Sequence, residues 1–312
     1  MMKNKLILSL AVSVLSVSTG CSRPAADYSQ WYDNPQGGQE LPDDPGGTDV
    51  EGTGETIHVM SSNVRYASAS SDVGTSVSWD NRKIAFPAMF EDQKPLVIGV
   101  QEAELEQIEY LQENCAGYDY IGVGREDGKQ KGEFMAIFYR TEDVAVARWG
   151  TFWLSDTPDE PSKAVSWGAG SYRSATWAVF RIKSTGTEFF YINTHLDLNE
   201  NAREKSMVLI ESKMAELNRD GLPMLLTADF NTQSTSGIFD GIKEFMLDAR
   251  AASPVTDNFG TYNNWGKSSQ VVDHIFCSGF IPREYSTVRQ RYEEVPYISD
   301  HYPVSAFLEF EK

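Results

Sequence analysis

Apolar and polar positions along this chain fall into short blocks that share one design. Met224-Leu225-Leu226-Thr227-Ala228-Asp229-Phe230-Asn231 is an apolar run closed by a carboxylate and a carboxamide. Such a run predicts a buried strand with a loop at its end. Alternation along a strand places Asp229 and Asn231 on the same side. Phe189 to Asp197, Leu96 to Glu102 and Ile57 to Asn63 repeat the design, each an apolar strand tipped with polar residues. Strand ends carrying Asn63, Glu102, His195, Asp229 and Asn231 would converge on one rim, where oxygen donors suit Mg2+ or Mn2+ and a histidine suits an anion.

Other stretches carry the helical period. Trp79 to Phe86 begins a helix capped by Ser78 or Asp80, with Ile84, Met89 and Phe90 toward the core. Leu105, Ile108 and Leu111 predict a second helix over 104–113. Met207, Ile210, Met214 and Leu217 mark the clearest amphipathic helix, over 199–219, and Ser236 to Phe245 reads as a short one. Tyr118 to Arg125 and Gly132 to Arg140 predict an antiparallel pair whose polar loop is flanked by Arg125 and Glu133. Ala175 to Ile182 is a further strand, and the chain closes with the segments Val271 to Cys277, Val288 to Tyr292 and Val304 to Phe310.

The start of the chain follows a different pattern. A basic opening with Lys3 and Lys5, an apolar run from Leu6 to Val17 and the small residues Ser18, Thr19 and Gly20 read as an export signal over 1–20, too short for a permanent span. With Cys21 next, it is similar to a bacterial lipoprotein signal. Cleavage there and a lipid on Cys21 would anchor the protein to a membrane, facing the periplasm or the cell surface. Ser18 stands where that pattern prefers Leu, so plain secretion is the alternative. Residues 21–55 are rich in Pro, Gly and acidic side chains, the composition of a flexible tether, and leave 56–312 as the folded domain.

Charge and cysteines narrow the field. Of the formal net charge of -18, -5 lies in residues 1–55 and therefore -13 in residues 56–312, which disfavours nucleic acid held by a basic face. Export would permit Cys115 and Cys277 to pair, and two buried free thiols fit equally well. No spacing in the chain matches a zinc site.

Six segments occur in a telling order: the Asn63 strand, Gln101-Glu102, Asn193-Thr194-His195-Leu196-Asp197, Ala228-Asp229-Phe230-Asn231, Asp273-His274-Ile275-Phe276 and Ser299-Asp300-His301. Over residues 56–312 the chain resembles the endonuclease/exonuclease/phosphatase superfamily of metal-dependent phosphoesterases. The resemblance implies an α/β fold, a four-layer α/β/β/α sandwich of two packed mixed sheets with outer helices. It also implies hydrolysis of a phosphoester with one or two Mg2+ or Mn2+ ions. Glu102 would be the principal metal ligand, with Asn63 beside it and Asp300 completing the site. Asp229 would accept or orient the proton of the attacking water, Asn231 and His195 would donate to phosphoryl oxygens, and His301 would be held by Asp273. Whether Asp229 or His301 is the base stays open.

The remaining candidates concern the substrate. Arg125 and Arg173 are placed to grip a phosphate, and Trp167 and Tyr172 to offer a flat face to a base or sugar, whereas Trp153 and Trp177 belong to the core. His58 and His274 face away from the rim by alternation. A small phosphoester, such as a sugar phosphate, nucleotide or lipid headgroup, fits the acidic domain better than DNA or RNA. A non-catalytic binding module would leave a full set of catalytic positions idle, and a glycosidase would leave His195 and His301 without a role. The protein is expected to act as a monomer.

Overall fold

A computed structural model describes residues 51–312; the export signal, Cys21 and the tether as far as residue 50 lie outside the described residues. In chain order the strands are β1 (Gly52–Asn63), β2 (Val97–Ala103), β3 (Tyr118–Ile121), β4 (Phe134–Arg140), β5 (Val144–Trp153) and β6 (Ser174–Ile182), followed by β7 (Glu188–His195), β8 (Met224–Asp229), β9 (Leu247–Asp248), β10 (Asp273–Ser278), β11 (Phe280–Thr287) and β12 (Val304–Glu311). They form two six-stranded sheets, ordered β11-β12-β1-β2-β4-β3 and β5-β6-β7-β8-β10-β9. Helices α1 (Trp79–Arg82), α2 (Ala85–Gln93) and α3 (Leu105–Asn114) cover the first sheet; α4 (Glu200–Leu217) and α5 (Asp240–Lys243) cover the second. The expected four layers are present.

Three apolar layers follow from the side-chain alternation. Val59, Val97, Ile137, Phe180, Phe189, Tyr191, Leu225 and Ile275 fill the space between the sheets. Phe86, Met89, Phe90, Ile108 and Leu111 pack on the outer face of the first sheet, and Met207, Ile210, Met214, Phe230 and Phe239 on that of the second. Each fully buried side chain of this size contributes about 1.5–3 kcal/mol.

Strand direction brings the polar tips together. Each sheet has one parallel pair at its centre, β1 with β2 and β7 with β8, so those four strands deliver their last residues to the same end. His195 is in register with Asp229. β10 runs antiparallel to β8, so its first residue, Asp273, lies opposite Asp229. β12 enters beside the end of β1, with Val304 opposite Ser61, and the Ser299-Asp300-His301 turn that precedes it reaches the same rim.

Several boundaries depart from the sequence-based expectation. β1 begins at Gly52, paired with Glu311 of β12, so the folded part includes residues assigned to the tether. Ile84 is 47% exposed, because the chain turns between α1 and α2 and Ala85 takes the core position. The last part of the chain forms its strand at β11, ahead of Val288 to Tyr292, which is not a strand. Pro282 and the charged Arg283 and Glu284 hide β11 from a hydrophobic pattern; they are tolerated because it is an edge strand whose register shifts at that point. Cys115 and Cys277 are both buried free thiols and do not pair.

Candidate active site

At the shared rim, Asn63 links the two sheets. Its Nδ2 donates to Glu102 Oε1 at 3.0 Å and to Asp229 Oδ2 at 2.9 Å, while its Oδ1 accepts the Arg65 N–H at 2.9 Å. In this orientation the amide holds two carboxylates at one point, and its oxygen is engaged by the Arg65 N–H. Glu102 sits on a bulge in β2 with φ 63, and Asn231 follows β8 with φ 51. Left-handed backbone is uncommon for residues with a side chain and concentrates where surrounding structure enforces a functional geometry. Asn231 therefore meets Asp229 through a tight turn in which its N–H donates to Asp229 Oδ1 at 2.9 Å, a different cause from strand alternation.

The two rim histidines have opposite electrostatics. His195 Nε2 accepts from Asn231 Nδ2 at 2.8 Å and lies 3.5 Å from Asp229 Oδ2, leaving the proton on Nδ1. That N–H has no hydrogen-bond partner and stands 3.9 Å from Glu133 Oε2. Burial, with Arg173, Arg125 and His301 nearby, pushes the His195 pKa well below its usual value. Neutral in this way, its Nε2 is an acceptor and its Nδ1–H is the atom left to donate. His301 points Nδ1 at Asp273 Oδ2, 2.8 Å away, and Nε2 at Asp229 Oδ2, 3.6 Å away. Burial alone would lower it, but Asp273, Asp229 and Asp300 outweigh burial and raise it. Asp229 is itself raised, by burial first and then by Asp273 and Glu102 against the pull of His301. The Tyr262 ring lies 4.9 Å from the His301 ring.

Donor atoms of Glu102, His195 and Asp229 come within 4.8 Å of one another, as do those of Asp229, Asp273 and His301. Carboxylates and imidazole without a thiolate fit a hard divalent ion. Asp300 is in neither group; it faces Arg65 Nη1 at 3.7 Å, and burial raises its carboxyl while Arg65 draws it down.

The substrate candidates divide. Arg125 Nη2 donates to Glu133 Oε1 at 2.6 Å, and Arg173 Nε to Asp197 Oδ2 at 3.3 Å. Both guanidinium groups are buried and keep N–H groups without a partner, Nε and Nη1 of Arg125 and Nη1 of Arg173. Asp197 also accepts the backbone N–H groups of Gly170, Ser171 and Asn199, which fixes the loop that carries Arg173. Tyr172 is partly exposed on that loop. Trp167 is 8% exposed: its ring packs against Ala164, Ala169 and Ala202, and its Nε1 donates to Asp156, so it offers no open face. His58 stacks on Phe307 and bonds Ser305 Oγ, and His274 packs among Phe230, Phe239 and Phe276, both away from the rim.

Three contributors lay outside the sequence-derived set. Glu133 closes on Arg125 and approaches His195, its carboxyl raised to about 7 by burial against the pull of Arg125. Its position beside Arg125 in the hairpin loop was visible, but an ordinary surface ion pair accounts for the same spacing. Arg65 and Tyr262 sit in polar loops with no period to single them out.

A sandwich that gathers carboxylates, amides and two histidines at the strand ends of both sheets is the architecture of a metal-dependent phosphoesterase. The family model described as Endonuclease/Exonuclease/phosphatase family matches residues 60–301, and the chain belongs to that family. Its members are phosphoesterases or nucleases and generally depend on a divalent metal. Among solved structures, an endonuclease/exonuclease/phosphatase family protein from Bacteroides thetaiotaomicron is 37% identical, with a TM-score of 0.77 over 83% of this chain and 99% of that one. A mannosyl-6-phosphatase from the same organism is 38% identical, with a TM-score of 0.77 over 81% of this chain and 100% of that one. An uncharacterized protein of Acanthamoeba polyphaga mimivirus is 26% identical over 254 residues, 74% of this chain and 92% of the relative.

Proposed function

We propose that this protein is a phosphomonoesterase for a small sugar phosphate, using Mg2+ or Mn2+. The supporting observation is the pair of buried guanidinium groups, Arg125 and Arg173, with unpartnered N–H groups beside His195. A guanidinium fork matches phosphate in two places, and a terminal monoester carries close to two negative charges near neutral pH, one more than a diester. The 38% identical mannosyl-6-phosphatase points to the same class. Partly exposed Tyr172, next to Arg173, offers an apolar surface for a sugar ring.

The chain's own residues then divide the work. Arg125 and Arg173 bind and orient the phosphate. Asp229 is placed to take the proton of the attacking water, and Asn231 to donate to a phosphoryl oxygen. The Nε2 side of His301, held by Asp273, addresses the same point and supplies positive charge or a proton to the leaving oxygen. Glu102 would hold a divalent ion beside Asp229, and that ion would supply charge neutralisation on the phosphoryl group.

The test is a panel of hexose phosphates, including mannose 6-phosphate, with nucleoside monophosphates, a lipid headgroup diester and duplex DNA, run with Mg2+, Mn2+ or EDTA. A sugar monophosphate should show the highest kcat/KM, EDTA should abolish turnover, and Arg173→Ala should raise KM. Efficient duplex nicking without activity on any small monoester would replace this reading with a nuclease. Export and lipidation at Cys21 complete the proposal on the strength of the residues around it. Cys21→Ser should move the protein from the membrane fraction to the soluble one.

A further inference from the structure

Arg82, in the short helix α1, is 1% exposed, and each of its hydrogen bonds goes to a backbone carbonyl. Nε donates to Val77 O at 2.9 Å, Nη1 to Val64 O at 2.7 Å and Ile298 O at 2.9 Å, and Nη2 to Arg65 O at 2.8 Å. The guanidinium carbon lies 5.5 Å from the Trp79 ring centroid and 5.6 Å from that of Trp265. A buried cation is costly unless its donors are satisfied. Here they are satisfied by Val77, close by in the chain, and by two stretches more than two hundred residues apart in sequence.

Those stretches matter for what they carry. Val64 and Arg65 directly follow Asn63, and Ile298 directly precedes Ser299, Asp300 and His301. Arg65 has φ 57, and this left-handed turn leaves two successive carbonyls, Val64 O and Arg65 O, on the same guanidinium. Gln107 Nε2 donates to Arg65 O as well, at 3.0 Å, so the turn is held from α3 also. On the other side, Asn263 Nδ2 donates to Ser299 O at 3.1 Å, and the N–H groups of Asn263 and Asn264 reach Asp300 O. Only a planar fork with several fixed donors spans such a set; an ammonium presents its charge at a single point.

We infer that Arg82 is a positioning residue for phosphoester hydrolysis: its fork fixes the Asn63 strand end to the turn bearing Asp300 and His301. The inference rests on the proposed roles of those residues. Burial lowers the Arg82 pKa to about 10, while Asp300, Asp72 and Glu102 favour its charged form. Arg82 touches neither substrate nor reacting atoms and acts only through the segments that it ties.

The experiment compares wild type, Arg82→Lys and Arg82→Met, the lysine variant keeping the charge and the methionine variant keeping the stem. Hydrogen exchange of the metal-free proteins should show faster exchange at residues 64–68 and 298–302 in both variants, with β7 and β8 unchanged. Mn2+ affinity by electron paramagnetic resonance should weaken about tenfold or more, the scale for supports behind a ligand. Turnover should fall about a hundredfold with KM little changed, the scale for misplaced reacting groups. A folded Arg82→Lys protein with wild-type exchange, Mn2+ affinity and kcat would overturn the inference, because charge alone would then suffice. A wild-type protein that binds no Mn2+ and cleaves no phosphoester would remove the proposed function, and the exchange measurement would still decide whether Arg82 ties the two segments.

Discussion

Asn63 and Asp229 hydrogen-bond across the gap between the two sheets, the amide at the end of β1 donating to the carboxylate at the end of β8 at 2.9 Å. The second N–H of the same amide reaches Glu102 at 3.0 Å, so one uncharged group holds two carboxylates that would otherwise repel. Asn63→Ala should lower kcat by about a hundredfold or more, the scale seen when a charge-organising donor is lost. Steady-state kinetics beside a melting curve make the check. Wild-type turnover in a folded Asn63→Ala protein would show that the link between the sheets is unimportant for chemistry.

The groups at the rim should separate from the group that only supports the substrate loop. Asp229→Asn, His195→Ala and His301→Ala are each expected to lower kcat by about a hundredfold or more. Asp273→Asn should act in the same direction, because the carboxylate facing His301 Nδ1 loses its charge. Asp197→Asn should raise KM more than it lowers kcat, since Asp197 anchors Arg173 and the loop at 170–171. If Asp197→Asn instead lost turnover at unchanged KM, Asp197 would belong with the reacting groups.

The apolar strands tipped with polar residues were legible because a fully buried strand shows as a hydrophobic run, and β2, β7 and β8 are of that kind, while β1 is buried only toward its Asn63 end. Edge strands were harder. β5 alternates small, charged and aromatic residues along a half-exposed edge, and β11 carries Pro282, so neither stands out from loop sequence. The rim residues could be named from their order, but not how they meet: the left-handed turns at Glu102 and Asn231 decide that, and no side-chain pattern announces them. Arg82 shows the same limit, since an arginine between Asn81 and Lys83 reads as a solvated helix face. Trp167 was misplaced for the converse reason: an aromatic in a Ser- and Gly-rich loop looks free until α4 is packed against it through Ala202.

His58 gives the fold a pH dependence separate from the rim. It stacks on Phe307 with ring centroids 4.3 Å apart and bonds Ser305 Oγ at 2.6 Å, and burial lowers its pKa to about 4. A histidine with its folded pKa below the unfolded value near 6.5 favours the folded state fully above that value, and loses its contribution as pH falls from 6.5 toward 4. The slope from this one group is at most about 1.4 kcal/mol per pH unit. His58→Gln should therefore flatten the fall in stability between pH 6.5 and 4, measured by urea unfolding at several pH values. Equal slopes in the two proteins would mean that carboxylates elsewhere carry the whole effect.

Gly99 sets how closely the sheets approach beneath the rim. A Cβ at this position would lie 2.4 Å from both Asn193 Oδ1 and Thr227 Oγ1, inside any tolerable contact. Those atoms belong to a buried network: Gln101 Nε2 donates to Asn193 Oδ1 at 2.7 Å, Thr227 Oγ1 donates to the same oxygen at 3.0 Å, and Asn193 Nδ2 reaches Val100 O and Ala136 O, each at 2.9 Å. Asn193 is two residues before His195, Thr227 two before Asp229, and Gln101 adjoins Glu102, so the network lies directly under three rim residues. Alanine at 99 would push β2 from β7 and β8 or break bonds that have no water to replace them. Overpacking of this kind costs about 1–3 kcal/mol, and each unsatisfied buried group about 1–3 kcal/mol more. Gly99→Ala should therefore lower the melting temperature and also reduce kcat at temperatures where the variant is still folded, because Glu102 moves relative to His195 and Asp229. A variant with the lower melting temperature but full kcat would show that the network supports the fold without setting the rim.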